Sequence, residues 1–374
     1  MMRAMFLGAL LGGSAAVGIY FYFYFKRVIS WWRKKPADRT AGLWAAALGA
    51  VSAFKVFQVW NTWAMVVMHL FGFALCLDLV NALIRLTKRG GRRWERVYRC
   101  GLVPFLCTAL LMGYGYWNIH RVVRTDYRVE TEKPIRAQGY RIALVSDLHF
   151  GTTMDGRDLA GYAGEIEAAG PDLLVLCGDI VDEATTREEM EEAMAVLGAV
   201  KCPLGVYFVR GNHDRASYTR TPNFTAEELE RAIRGAGITI LTDRRVQAAE
   251  DLTLIGRDDR SRPVDGRRRG LEELLDGADR SSFLLLLDHQ PNELEAADRA
   301  GYDLLLSGHT HAGQIWPTGL ISQAAGIVEL NYGQRKLDHL QVIVSSGIGG
   351  WGYPIRTSRH CEYVIISVEG NKAE

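Results

Sequence analysis

Net charge is almost absent from this 374-residue chain: 44 lysines and arginines face 43 aspartates and glutamates, a formal +1. Without a global basic excess there is no charge argument for nucleic-acid binding, and no nucleic-acid partner is expected. Cysteine is also scarce. The six (Cys76, Cys100, Cys107, Cys177, Cys202 and Cys361) form no CxxC pair. That argues against a zinc ribbon or a disulfide framework and leaves them as small buried hydrophobes. Long apolar runs are confined to one part of the chain. The mean hydropathy of -0.03 averages an apolar first third with a charged remainder.

Four apolar stretches occupy that first third, roughly Met5–Phe25, Gly42–Trp60, Trp63–Ile84 and Cys100–Ile119. Each approaches the about 20 residues that a helix needs to cross a bilayer core. Aromatics crowd their ends (Tyr20 to Phe25, Trp31, Trp32, Trp60, Trp63, Tyr114, Tyr116, Trp117), as suits a membrane–water interface. The first stretch is read as a retained span, because it is long and three more follow. Asp78 is expected to pair with a cation on a neighbouring helix. With no obvious cluster of polar residues inside the spans, anchoring is their expected role. Lys26, Arg27, Arg33, Lys34, Lys35 and Arg39 lie between spans one and two, and Lys88, Arg89, Arg92, Arg93, Arg96 and Arg99 between spans three and four. The positive-inside rule makes both loops cytoplasmic, so four spans place the rest of the chain outside.

After the spans, short apolar runs alternate with amphipathic helical stretches, the signature of a layered α/β domain. Tyr127–Val129–Thr131 reads as a leading strand; from Gln341 to Val368 strands follow without helices, so the sheet is expected to be mixed or doubled. Polar clusters end the runs: Asp147-Leu148-His149, Gly178-Asp179-Ile180-Val181-Asp182, Gly211-Asn212-His213-Asp214, Asp288-His289 and Gly308-His309-Thr310-His311. Ligands of open α/β sheets bind beyond the carboxyl ends of strands, so these clusters should converge. Carboxylates, imidazoles and an amide oxygen brought to one point suit Mn, Fe, Zn or Co better than calcium. Glycines before Asp179, Asn212 and His309 permit close backbone approach.

The ordered set resembles the calcineurin-like metallophosphoesterase superfamily, whose pattern is DxH, GDxxD, GNH(D/E), a lone His and GHxH. All five blocks are present in order over Asp147–His311. The apolar stretches give an N-terminal bundle of four transmembrane helices, where many relatives carry one short hydrophobic segment, and the resemblance implies that an α/β/β/α sandwich with a mixed double sheet follows it. Domain boundaries are expected at 1–120 for the anchor, 121–140 for a linker with the leading strand, and 141–374 for the phosphoesterase domain. It further implies two divalent ions, manganese favoured. One would be held by Asp147, His149, Asp179 and His311, the other by Asp179, Asn212, His289 and His309. Such a pair clamps both oxygens of an in-line displacement. His213 then looks like the general acid or a donor to a phosphoryl oxygen, with Asp214 orienting it or holding its charge. Asp182 anchors the loop or a ligand rather than a metal.

The segments GHTHAGQ (Gly308–Gln314) and Gly347–Arg356 further resemble a branch of bacterial membrane-associated phosphodiesterases, with Ala312 in place of a glycine. The expected function is hydrolysis of phosphodiester or pyrophosphate bonds, and the membrane anchor, which would hold the site near the head-group plane, points to a phospholipid or lipid-linked phosphate at a bacterial cell membrane. A surface phosphatase or nucleotidase acting on soluble substrates is the alternative, and a silent metal-binding scaffold a third reading. Arg257–Arg262 and Arg267–Arg269 read as a solvated loop or an anion contact. The segment Gln314–Gln334 reads as a cap, a bilayer contact or core, and Arg356 as a substrate contact or a strand end.

Overall fold

Residues 2–59 and 61–370 are described by the structure, a computed structural model. They divide between Gly115 and Tyr116 into two units. In the first, α1 (Met2–Trp32), α2 (Arg39–Phe57) and α3 (Thr62–Leu86) are followed by the short α4 (Arg92–Cys100) and by α5 (Leu102–Ile119). All but α4 are long and apolar enough to cross a membrane. The basic run expected as a loop between spans three and four thus contains a helix, which ends at Gly101 with φ 69°. Trp60, expected to end the second span, lies outside the described residues.

Local chemistry sets where the helices begin. Asp38 accepts a hydrogen bond from the Ala41 N–H at 2.8 Å, and Asn61 from that of Ala64 at 3.0 Å, each satisfying a donor with no intrahelical partner. Along α2 the buried residues are Ala41, Ala45, Gly49, Ser52 and Val56, while Leu43, Trp44, Val51 and Phe54 stay exposed. In lipid, apolar surface alone gives helices no reason to associate, so small residues that let backbones approach carry the packing. A Cβ at Gly49 would stand 2.6 Å from the Gly18 carbonyl oxygen of α1. Asp78 has the expected partner: its Oδ1 lies 2.9 Å from Arg27 Nη1.

The second unit holds the strands β1 (Val122–Thr131), β2 (Tyr140–Val145), β3 (Leu173–Cys177), β4 (Val206–Val209), β5 (Thr239–Ile240), β6 (Arg244–Ala249), β7 (Leu252–Gly256), β8 (Phe283–Leu287), β9 (Leu304–Ser307), β10 (Gly333–Lys336), β11 (Gln341–Val344) and β12 (Cys361–Gly370). They form two six-stranded sheets, ordered β1-β12-β2-β3-β4-β5 and β10-β11-β9-β8-β7-β6. Both are mixed: β2 to β5 run parallel while β12 opposes β2, and β7, β8, β9 and β11 run parallel between antiparallel β6 and β10.

Period-two alternation explains why these strands are apolar throughout. In β8, Phe283, Leu285 and Leu287 join Ile142, Leu144 and Val175 of the first sheet in a core between the sheets. Leu284 and Leu286 point the other way, onto α9 (Leu271–Leu274) and α10 (Leu294–Ala300). On the outer face of the first sheet, Ala143, Val145, Leu174, Leu176 and Phe208 pack with α6 (Gly156–Ala168), α7 (Arg187–Gly198) and α8 (Ala226–Gly235). The layering is α/β/β/α. Because β2, β3, β4, β8 and β9 point the same way within their sheets, their carboxyl ends, and the motifs that follow, gather at one edge.

Candidate metal centre

The motif residues leave their strands through tight turns that bring backbone against backbone. Asp147, His149, Asp179, His309 and His311 all have positive φ, between 44° and 71°, a region non-glycine residues seldom occupy and one typical of functional sites. Glycines make the crowding possible. A Cβ on Gly211 would overlap the Asp179 carboxylate, and one on Gly308 the Asp147 carboxylate. Ala312 is itself left-handed at φ 50°, which explains why a glycine suits that position in the resembling branch.

Two triads result. Asp147, His149 and His311 each offer a ligand atom within 4.8 Å of the others, as do Asp179, His289 and His309. Asp179 stands between them. Its Oδ2 is 3.1 Å from His289 Nε2 and 3.8 Å from His149 Nε2, while its Oδ1 accepts from the His213 N–H at 2.8 Å. His149 Nε2, His289 Nε2 and Asn212 Oδ1 are buried without a hydrogen-bond partner. Unpaired buried polar atoms are costly, and a divalent cation is the partner that would satisfy all three. The donor set fits two such ions.

The rings are held in the right tautomer. His289 Nδ1 donates to the Cys177 carbonyl at 2.8 Å, and His149 Nδ1 lies 3.1 Å from Asp182 Oδ2. In its neutral form each ring keeps Nε2 as the free lone pair. For His289, burial is outweighed by Asp179 and Asp147, which hold the imidazole protonated well above its ordinary range, so that a metal there would have to displace this proton. Burial, then the positive field of His289, pulls His309 down to about 3. Burial, then His149 and Arg356, holds His311 well below the ordinary range. Both imidazoles are therefore neutral, the form that binds metal. At Asp179 burial opposes ionisation, but the imidazoles of His289, His149 and His213 hold the carboxyl well below its usual range.

His213 does not have the partner expected for it. Its Nδ1 lies 2.8 Å from Glu183 Oε2, and its ring faces Tyr218 and Trp351 at 4.9 and 5.3 Å. Asp214 is fully buried and turned away. Its Oδ2 accepts from the N–H groups of Asp179 (2.8 Å) and Gly211 (2.6 Å), and its Oδ1 from Ile180 (2.9 Å) and Val181 (3.3 Å). It braces the loops that carry Asp179 and Asn212. Burial, then the charge of Asp179, pushes Asp214 up to about 6. Asp214→Asn would turn an NH2 toward two backbone donors. The expected loss is about 2–4 kcal/mol of stability, read as a lower unfolding midpoint of the catalytic unit; an unchanged midpoint would overturn the bracing role.

Arg356 is neither a substrate contact nor a strand end. It is fully buried and donates to the carbonyls of His311 (3.0 Å), Ser346 (3.0 Å) and Gly349 (2.7 Å). It staples the Gly347–Arg356 loop to the second histidine of GHxH. The charged run after β7 is no plain solvated loop either: buried Arg257 and partly buried Arg268 pair with Asp288 and Glu293. Glu183 went unrecognised in the sequence, where it is one more acid beside Asp182.

The calcineurin-like phosphoesterase family pattern matches residues 140–313. A transmembrane protein with metallophosphoesterase domain from Danio rerio is 30% identical over 311 residues, 79% of this chain and 69% of that protein. An uncharacterized metallophosphoesterase of Aquifex aeolicus is 30% identical over 275 residues, 70% of this chain and 98% of its own length. One from Campylobacter jejuni is 25% identical over 311 residues, 81% of this chain and 79% of its own. With its paired ligand groups and membrane-length helices, this chain belongs to the calcineurin-like metallophosphoesterases, metal-dependent hydrolases of phosphate esters.

Proposed function

We propose that the chain hydrolyses phosphodiester or pyrophosphate bonds in a lipid or lipid-linked substrate, with two divalent ions, manganese favoured. The observation that carries the chemistry is the set of buried, unpaired ligand atoms on His149, His289 and Asn212, facing Asp147, Asp179, His309 and His311. In this reading one ion is held by Asp147, His149, Asp179 and His311, the other by Asp179, Asn212, His289 and His309. Bound there, such ions supply a water nucleophile at neutral pH and offset charge on the attacking and leaving oxygens. The chain's own part is positioning and proton transfer. Asp179 Oδ2 lies between the two groups, and Asp182 and the Cys177 carbonyl fix the rings. His213 presents Nε2 as proton donor to the leaving oxygen, with Glu183 on its other nitrogen.

The lipid part rests on the surface beside the centre. After the turn His311–Gly313 comes α11 (Thr318–Ala324), and around it Trp316, Leu320, Ile321 and Ile327 are each 59–65% exposed. Val328 and Leu330 point inward, so only part of the segment serves the core. A cluster of large apolar side chains held in water marks an interaction surface, and acyl chains suit it. Membrane spans on the same chain raise the local concentration of lipid substrate. The two basic stretches flanking α2 and α3 support an extracytoplasmic catalytic unit.

The test uses the full chain in detergent micelles. With manganese it should hydrolyse bis-p-nitrophenyl phosphate; chelation should abolish turnover and added manganese restore it. Replacing Trp316, Leu320, Ile321 and Ile327 with serine should lower the ratio of phospholipid to soluble diester turnover in mixed micelles. A wild-type protein that cleaves nucleotides well but ignores lipids would replace this reading with a surface phosphatase or nucleotidase.

A further inference from the structure

The expected Asp78–cation pair of the first unit sits in a larger polar cluster. Arg27 of α1 meets Asp78 of α3 at 2.9 Å and the Tyr98 hydroxyl of α4, and stacks 4.1 Å from the centre of the Tyr98 ring; Tyr20 donates to the other Asp78 oxygen at 2.7 Å. All these contacts to Arg27 from acceptors use Nη1. Its Nε and Nη2 are buried and without a hydrogen-bond partner. The Tyr24 ring, its centre 5.1 Å from the guanidinium carbon, covers the group as well, and the side chain's charge is costly in a membrane helix unless anions stand near.

Arg27 also lines a cavity of about 830 Å³ at the carboxyl end of α1. Five cations line it, Lys26, Arg27, Lys34, Lys35 and Arg99, and no carboxylate does. Asp78 offsets Arg27, and Glu95 lies 3.2 Å from Arg99; the three lysines have no carboxylate within ion-pair distance among the described residues. The cavity therefore holds an excess of roughly three positive charges. Trp31 and Trp32 form part of its wall, and the Trp32 Nε1–H donates to the Cys100 carbonyl at 3.0 Å. Tryptophan marks the head-group level of a bilayer. The membrane-length part of α1, Leu7–Trp32, has 26 residues, against about 20 needed for the hydrocarbon core. Its last turns, with the cavity, thus reach the head-group layer.

We propose that this cavity binds the phosphate of an anionic lipid head group, separately from the metal centre. Arg27, held through Nη1 by Asp78 and Tyr98, contributes charge from the cavity wall. The lysines add point charge, and the tryptophans flank the glycerol and upper acyl chains. The selectivity is for net negative charge: a zwitterionic choline head would bring its own cation into the excess positive field.

The test is retention of lipid by the full-length protein, released from detergent and weighed by native mass spectrometry. Phosphatidylglycerol should be retained as one adduct and phosphatidylcholine should not. The variant K26Q/K34Q/K35Q should weaken retention about a hundredfold. K88Q/R89Q/R92Q removes the same charge from residues outside the cavity and should leave retention unchanged. Equal retention of the two lipids, or equal loss in the two variants, would overturn the proposal. A site filled by inorganic phosphate while phosphatidylglycerol is ignored would overturn the lipid assignment.

Discussion

Asp179→Asn is expected to lower phosphodiester turnover about a thousandfold or more, and to cut bound manganese below two per chain. Both oxygens of Asp179 are committed. Oδ2 lies between His149 Nε2 and His289 Nε2 at 3.8 and 3.1 Å, and Oδ1 accepts from the His213 N–H at 2.8 Å. An amide cannot meet both demands. With its nitrogen toward the histidines it offers hydrogens where a cation would sit, and with its nitrogen toward His213 it opposes an N–H. It also removes the charge on which both groups depend. Elemental analysis of purified variant and parent, alongside turnover of bis-p-nitrophenyl phosphate, reads both effects. Full activity in the variant would remove the two-metal reading.

The legible parts of this protein are those where one residue type has one physical use. Apolar runs of membrane length became helices of that length, because a bilayer leaves the backbone no other solution. The end of each short apolar run became the end of a strand. The chemistry-bearing residues after those runs are together because parallel strands share a carboxyl edge. Positions whose role depends on a distant neighbour were not legible. Glu183 and Asp182 are adjacent acids, and only the loop geometry sends one to His213 and the other to His149. Asp214 follows His213 directly, yet the turn Gly211–Asp214 points the two side chains apart, one to solvent-side rings and one to buried N–H groups. Arg356 looked like a surface ligand because arginine rarely lies fully buried without a carboxylate. Three loop carbonyls hold it instead, and no sequence pattern announces carbonyls. A cation beside Asp78 was legible, but the Tyr20 and Tyr98 contacts around the pair were not, because the members sit on three helices, one of which is short enough to read as a basic loop.

His213→Ala should lower turnover about 10²- to 10⁴-fold, with the greater loss on substrates whose leaving group is an alkoxide. A p-nitrophenolate departs without a proton, whereas an alkoxide requires one. The pH profile separates this role from a purely structural one. Burial works to lower the pKa of His213, but the hydrogen bond to Glu183 and the charges of Asp179, Glu183 and Asp182 outweigh it, and the net shift is upward. An acid must be protonated to act, so turnover should be full below that raised pKa and fall as the pH rises through it. Glu183→Gln keeps an acceptor for Nδ1 but removes the charge. The pKa then drops, and the alkaline limb of the profile should move to lower pH while the rate at acid pH changes little. A role for Glu183 in folding alone would lower the rate equally at every pH and leave the limb in place. Asp214→Asn supplies the contrast. Because Asp214 touches backbone donors and not the His213 ring, its substitution should lower stability and leave the limb where it is. Movement of the limb in the Asp214 variant but not in the Glu183 variant would return the dyad to His213 and Asp214.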